Sequence, residues 1–284
     1  MAQILNGKAL AAGIKLRLKA GIEERAAALN ERPSVAVVQV GSDPASTIYI
    51  NHKEKACKEV GLGFKKVALP ETITQQQMLQ EIDSLNNNPE IHGFIVQQPL
   101  PGHLDDNEIL ERIAPSKDID CLHPYNVGLV AEGRGKLLPC TPAGIIALLD
   151  ANNIKIEGKH CVIIGRSRIV GKPLGLMMLS RNATVTYCHS RTKNLSEISK
   201  QADILVVAIG QPKFLTADMI KTECVLVDVG ISHLEGRGDS KIICGDVDYE
   251  DCFEKASFIT PVPGGVGPMT VAILLENGLK AWLQ

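Results

Sequence analysis

Short β-branched, apolar runs that close on a glycine or a polar turn, each followed by a helix-like stretch, constrain this chain more than any other feature. The clearest are SVAVVQV (34–40), IHGFIVQ (91–97), KHCVIIG (159–165), ATVTYC (183–188), DILVVAIG (203–210) and CVLVDVG (224–230). Near-continuous apolar runs suit strands that are covered on both faces. Their alternation with helical segments predicts an α/β fold built on parallel strands. At 284 residues there is room for two domains. The turn-rich LLPCTPAG (137–144) places their boundary near residue 140, giving an N-terminal domain over 1–140 and a second over 141–267. The last segment, PMTVAILLENGLKAWLQ (268–284), reads as an amphipathic helix that packs back on the first domain.

The second domain carries IIGRSRIVGKPLG (163–175), a strand running through a glycine turn into a helix. Gly165 lets the chain turn sharply, and Gly171 permits close packing of helix on strand. A helix N-terminus offers unpaired N–H groups to a phosphate, and Arg166 and Ser167 add donors. Alone, the motif fits a plain strand-to-helix turn as well. The next strand weighs against that. An NAD site usually carries an acid about twenty residues beyond the glycines, whereas ATVTYC ends in His189-Ser190-Arg191. Ser190, Arg166 and Arg191 suit a 2′-phosphate, which a carboxylate would repel. The domain is therefore expected to be Rossmann-like and to prefer NADP.

Residues 41 to 61, GSDPASTIYINHKEKACKEVG, form a helix by their caps: Asp43 at the N-cap, Pro44 at the first turn and Gly61 as the stop. Ser46, Tyr49 and Lys53 share one stripe of it. A lysine on such a stripe is commonly just part of a solvated face, but other segments add chemistry. FIVQ ends in Gln97-Gln98-Pro99 at the carboxyl end of a strand, where open sheets bind ligands. KDIDCLHP (117–124) offers Asp118 and Asp120, and PVPGGVGPMT (261–270) is a side-chain-poor loop whose backbone can lie against a flat ligand.

Composition narrows the partners. A net charge of −2 and a pI near 6.4 give no footprint for nucleic acid or an anionic membrane. Eight cysteines occur without a C-x-x-C spacing, several in apolar runs. That reads as free thiols in a reducing, cytoplasmic setting, with no metal site. No apolar run is long enough to cross a bilayer.

Six segments, ASTIYINHKEKAC, VQQPLP, KDID, GRSRIVGKP, CHSRT and TPVPGGVGPMT, stand in an order that identifies a resemblance. Over essentially its whole length the chain resembles the bifunctional methylenetetrahydrofolate dehydrogenase/cyclohydrolase family. The resemblance implies oxidation of 5,10-methylenetetrahydrofolate with NADP, followed by hydrolysis of the methenyl product to 10-formyltetrahydrofolate. It implies a folate cleft flanked by the N-terminal domain and the nucleotide-domain sheet, and a homodimer through the nucleotide domain. By the same resemblance Lys53 is the hydrolytic lysine, assisted by Gln97 and Tyr49, and Asp120 is the acid that bonds the pterin. Ser46, Tyr49, Val96, Gln98, Pro263, Gly264, Gly265 and Thr270 are expected against the folate. Gly165, Arg166, Ser167, Ser190, Arg191 and Ile231 are expected against the cofactor. Two positions depart from the family: Gln98 stands where leucine is usual, and Cys121 where glycine is usual.

The two reactions ask for different residues. Hydride loss leaves a nitrogen-stabilised cation and releases no proton, so orientation matters more than a general base. Hydrolysis needs a water activated beside that cation. A lysine can serve in its neutral form, which burial and a neighbouring cation favour. The Tyr49/Lys53 spacing also matches the Y-x-x-x-K pair of short-chain dehydrogenases, but there the glycine turn precedes the pair. The same residues leave room for an NAD-dependent dehydrogenase-only relative or a catalytically silent nucleotide sensor.

Overall fold

A computed structural model of the protein describes residues 1–235 and 241–284. The chain divides into two compact units. The first comprises Ala12–Leu129, Arg134–Leu138 and Val271–Gln284, and the second Met1–Ala11, Val130–Gly133 and Pro139–Thr270. The chain begins with β1 (Gln3–Ile4) and α1 (Gly7–Leu29), and continues through β2 (Ser34–Val40), α2 (Pro44–Val60), β3 (Gly63–Leu69) and α3 (Gln75–Asn87). Next come β4 (Gly93–Val96), α4 (Asp106–Arg112), α5 (Pro124–Ala131) and α6 (Cys140–Ala151). Then follow β5 (His160–Ile164), α7 (Gly171–Ser180), β6 (Thr184–Cys188), α8 (Leu195–Ser199), β7 (Ile204–Val207) and β8 (Val225–Asp228). The last are β9 (Ser232–Glu235), β10 (Lys241–Cys244), α9 (Tyr249–Phe253), β11 (Phe258–Ile259) and α10 (Val266–Trp282).

In the first unit β2 is the centre of a parallel sheet ordered β3-β2-β4, with Val38 opposite Val67 and Val96. Ala36, Val38, Phe94 and Val96 form one face of a core closed by Met78, Ile82 and Leu85 of α3 and by Ile109 and Leu110 of α4. Threonine and glutamine fix the start of α3, where Thr74 and Gln77 form a reciprocal capping box. β3 is an edge strand with Lys65 and Lys66 exposed, so it lacks the continuous apolar signature of its neighbour. Residues 271–284, which include most of α10, pack in this unit, as the amphipathic pattern predicts. Trp282 donates its indole N–H to Glu31 at 3.2 Å and meets His92 edge-on.

The second unit holds a parallel sheet ordered β1-β11-β8-β7-β5-β6. From β5 the chain passes through α7 out to β6, then returns across β5 to β7 and onward to β8. The loops after β5 and β7 therefore leave in opposite directions, the crevice where open α/β sheets take ligands. β1 is the edge strand here: Gln3 N–H donates to Ser257 O and Leu5 N–H to Ile259 O, both at 2.8 Å. That pairing places Met1–Ala11 with the second unit, whereas the sequence pattern assigned them to a domain over 1–140. β9 and β10 form a separate antiparallel pair.

Candidate active site

Helix α2 sets out the first group of residues. The Asp43 carboxylate accepts the Ser46 N–H at 2.7 Å, Pro44 opens the first turn, and Gly61 ends the helix at φ +82°. The caps fix the register of the stripe that carries Ser46, Tyr49 and Lys53. Ser46 is buried and Tyr49 is exposed. β4 delivers the partner: Gln97 N–H donates to Val38 O at 2.9 Å, extending the ladder past the strand end. The Lys53 ammonium donates to Gln97 Oε1 at 2.9 Å, and Gln97 Nε2 donates to the Gln98 carbonyl at 2.8 Å. Both ends of the Gln97 amide are thus engaged, which fixes its oxygen toward the lysine. The Val96 side chain lies in the core, so only its backbone is available to a ligand. Gln98 Nε2 is buried with no hydrogen-bond partner among the described residues.

The two acids of KDID separate into different roles. Asp118 is 1% exposed and accepts from Leu122 N–H, His123 N–H and the Asn126 amide, so it caps the start of α5. Burial pushes its carboxyl up. Asp120 is half-buried, which leaves it the acid open to a ligand. Cys121 follows at φ +58°, in the left-handed region that glycine enters without cost. The Cys121 thiol is buried against Leu137 O at 3.3 Å, and burial raises it well above a reactive range.

Sequence reading missed Asn277, which is fully buried on α10. Its amide donates to Ile119 O at 2.9 Å and Leu138 O at 2.8 Å, and its oxygen accepts from Leu138 N–H at 3.3 Å. Asn277 therefore holds the backbone between Asp118 and Asp120. The available signal was a lone asparagine within the apolar AILLENGLKAW.

The second unit presents the other set. Gly165 takes φ +129°, and a Cβ there would lie 2.3 Å from Ala208 O; one on Gly171 would lie 2.3 Å from Gly165 O. Both glycines are required by close approach, as the motif suggests. The helix end differs from expectation. Ser167 Oγ accepts the N–H groups of Val170 at 3.2 Å and Gly171 at 3.3 Å. Those donors are turned to the chain's own hydroxyl, so they do not stand open to a phosphate. The side chains of Arg166, Ser190 and Arg191 are exposed and can add to anion binding. The turn that displays Ser190 is held by His189 N–H to Thr192 Oγ1 at 2.9 Å and by Arg191 N–H to His189 Nδ1 at 3.2 Å. With two guanidinium groups, a hydroxyl and no acid, this set fits a 2′-phosphate.

Ile231 is exposed just beyond β8. In the glycine loop, Pro263 is exposed and Gly264 takes φ +108°. The Gly264 carbonyl accepts Lys8 N–H at 2.9 Å, and Gly265 is buried. Thr270 pairs its hydroxyl with Thr141 at 2.9 Å. Among the described residues no group of three or more His, Cys, Asp or Glu could hold a metal ion, and no helix is long and apolar enough to cross a membrane.

Comparison with known proteins decides the lineage. Residues 5–120 match the tetrahydrofolate dehydrogenase/cyclohydrolase catalytic domain, and residues 139–284 match the NAD(P)-binding domain of the same family. The chain belongs to the tetrahydrofolate dehydrogenase/cyclohydrolase family. It is an enzyme with an NAD(P)-binding domain. It is 50% identical over 283 residues to the Bifunctional protein FolD of Halalkalibacterium halodurans, covering 99% of this chain and 98% of that one. The crystal structure of FolD from Campylobacter jejuni superposes with a TM-score of 0.96 at 46% identity, covering 100% of this chain and 99% of that one. The Trypanosoma brucei enzyme, solved with NADP cofactor and an inhibitor, gives 0.95 at 34% identity, covering 99% of this chain and 97% of that one. Membership of the family sets aside a short-chain dehydrogenase.

Proposed function

We propose that this protein oxidises 5,10-methylenetetrahydrofolate with NADP and hydrolyses the methenyl product to 10-formyltetrahydrofolate, with Lys53 as the hydrolytic residue. The observation that carries the second half is the 2.9 Å contact between Lys53 Nζ and Gln97 Oε1. The amide oxygen orients the lysine, and a positioned amine can exchange a proton with a water. Tyr49, one turn earlier and exposed, offers a ring to the folate and a hydroxyl near the same water. Asp120 bonds the pterin.

In the oxidation, bound NADP supplies the hydride acceptor. The chain's contribution is to hold and orient. Arg166, Ser190 and Arg191 grip the 2′-phosphate, Ser167 shapes the turn between them, and Gly165 leaves room for close approach. Ile231 contacts the cofactor through its backbone. Ser46, Val96 and Gln98 line the folate. The protein works in the cytoplasm as a homodimer formed through the nucleotide-binding unit.

The reading predicts that the purified protein hydrolyses 5,10-methenyltetrahydrofolate with no cofactor present, and that its dehydrogenase kcat/KM is higher with NADP than with NAD. Absence of cofactor-free hydrolysis would remove the role given to Lys53. A preference for NAD would remove the role given to Ser190 and the arginines.

A further inference from the structure

Two buried carboxylates in the second unit take no part in the chemistry above. Asp228, at the end of β8, is 3% exposed, and Asp246, two residues beyond β10, is fully buried. Asp228 Oδ1 accepts the N–H groups of Gly230 and Asp246, and its Oδ2 accepts that of Val247, all at 2.9 Å. Asp246 Oδ2 in turn accepts the N–H groups of Ile209 at 2.7 Å and Gly210 at 3.0 Å. The fit is tight: a Cβ on Gly245 would lie 1.8 Å from Asp228 Oδ2. Burying two like charges this close is expensive unless hydrogen bonds compensate. Backbone donors engage both Asp228 oxygens and Asp246 Oδ2, while Asp246 Oδ1 is buried with no hydrogen-bond partner among the described residues.

The place of these bonds matters more than their number. Residues 209 and 210 follow β7, across the crevice from Gly165, whose backbone nearly touches Ala208. Gly230 immediately precedes Ile231. Consecutive N–H groups at a strand's carboxyl end form a concavity that attracts anions. In this chain an internal carboxylate fills it. We propose that Asp246, held by Asp228, is a positioning residue for the dinucleotide. It fixes the backbone of Ile209 and Gly210 at the crevice and, through Asp228, ties that loop to the segment that ends at Ile231. The proposal rests on the reading of this unit as the NADP site.

The test compares wild type with Asp246→Asn and Asp246→Ala. NADPH affinity is read by fluorescence titration, with KM for NADP, cofactor-free hydrolysis of the methenyl substrate, and hydrogen exchange of amides 207–211 alongside. Loss of two bonds to a charged acceptor is expected to raise the NADPH Kd at least about tenfold in Asp246→Ala. Asp246→Asn keeps one acceptor oxygen and is expected to rise only about threefold, with faster exchange at 207–211 and hydrolysis unchanged. Should the alanine variant fail to fold, the asparagine variant carries the test alone. Unchanged NADPH affinity despite faster exchange would overturn the proposal, as would hydrolysis falling in step with affinity, the mark of a purely structural staple. If wild type itself bound no NADPH, the cofactor reading would fall first and this proposal with it.

Discussion

Replacing Lys53 with methionine tests the hydrolytic assignment at the residue that carries it. Methionine keeps most of the length and apolar stem of lysine while deleting the ammonium that reaches Gln97 Oε1 at 2.9 Å. The lost group accounts for the proton transfer, and positioned acid–base groups contribute about 10²- to 10⁴-fold. Hydrolysis of 5,10-methenyltetrahydrofolate should therefore slow at least about 100-fold, equivalent to about 2.7 kcal/mol of barrier. Stability should change little. Gln97 is only half-buried, so water can replace the lysine at its oxygen, and the cost stays near 1 kcal/mol or about 2–4 °C in Tm. Hydride transfer releases no substrate proton, so part of the dehydrogenase rate should survive. The assay follows the methenyl absorbance without cofactor, next to a melting curve for each protein. A Lys53→Met enzyme that hydrolyses at the wild-type rate would refute the reasoning. So would a collapse in Tm that explains the loss.

Other consequences follow from groups away from that lysine. Asn277→Ala leaves the Ile119 and Leu138 carbonyls without their buried donor and should cost roughly 3 kcal/mol in urea unfolding; a loss below about 1 kcal/mol would contradict the staple assigned to it. Burial pushes Asp228 up to about 6 from its ordinary 3.8, against the pull of three backbone N–H groups. The native state then holds this proton more tightly than the unfolded chain, so the group's contribution is complete below about pH 4 and is lost as pH rises through 6. The difference is roughly 3 kcal/mol. Asp228→Asn should gain on wild type in relative stability by about that amount between pH 4 and 7, and a pH-independent difference would exclude the assignment. Of eight free cysteines only Cys244 is partly exposed, so a thiol reagent should label one site quickly in the native protein and all eight in denaturant. Fast labelling at Cys121 would contradict its burial against Leu137.

What the sequence disclosed and what it withheld divide along physical lines. Strands β2, β4, β5, β7 and β8 were legible because they are largely buried and read as near-continuous apolar runs, and the part-exposed edge strand β6 was legible from its β-branched and aromatic residues. The caps of α2 were legible because capping is local chemistry. β3 was not, since an edge strand with two exposed lysines loses that pattern. The allegiance of β1 depends on pairing with residues 257 to 259, a contact far along the chain that no local window contains. Among site residues, Lys53 and Gln97 could be named from their elements, and the structure brings them together. The division of labour between Asp118 and Asp120 could not be seen, because it depends on which carboxylate faces the backbone of α5. Ser167 was named for the cofactor, but that its hydroxyl oxygen also accepts two N–H groups at the start of α7 could not be seen. The positive φ of Cys121 was not legible either.

The account's central claim is that one chain couples NADP-dependent oxidation to hydrolysis. A single time course tests it: protein, 5,10-methylenetetrahydrofolate and NADP, with NADPH and the methenyl intermediate read at their separate wavelengths against an NAD control. The account predicts that NADPH rises while little methenyl accumulates, and that NAD supports less turnover. Equal accumulation of NADPH and methenyl would contradict the hydrolytic half. No reaction with either cofactor would contradict the whole.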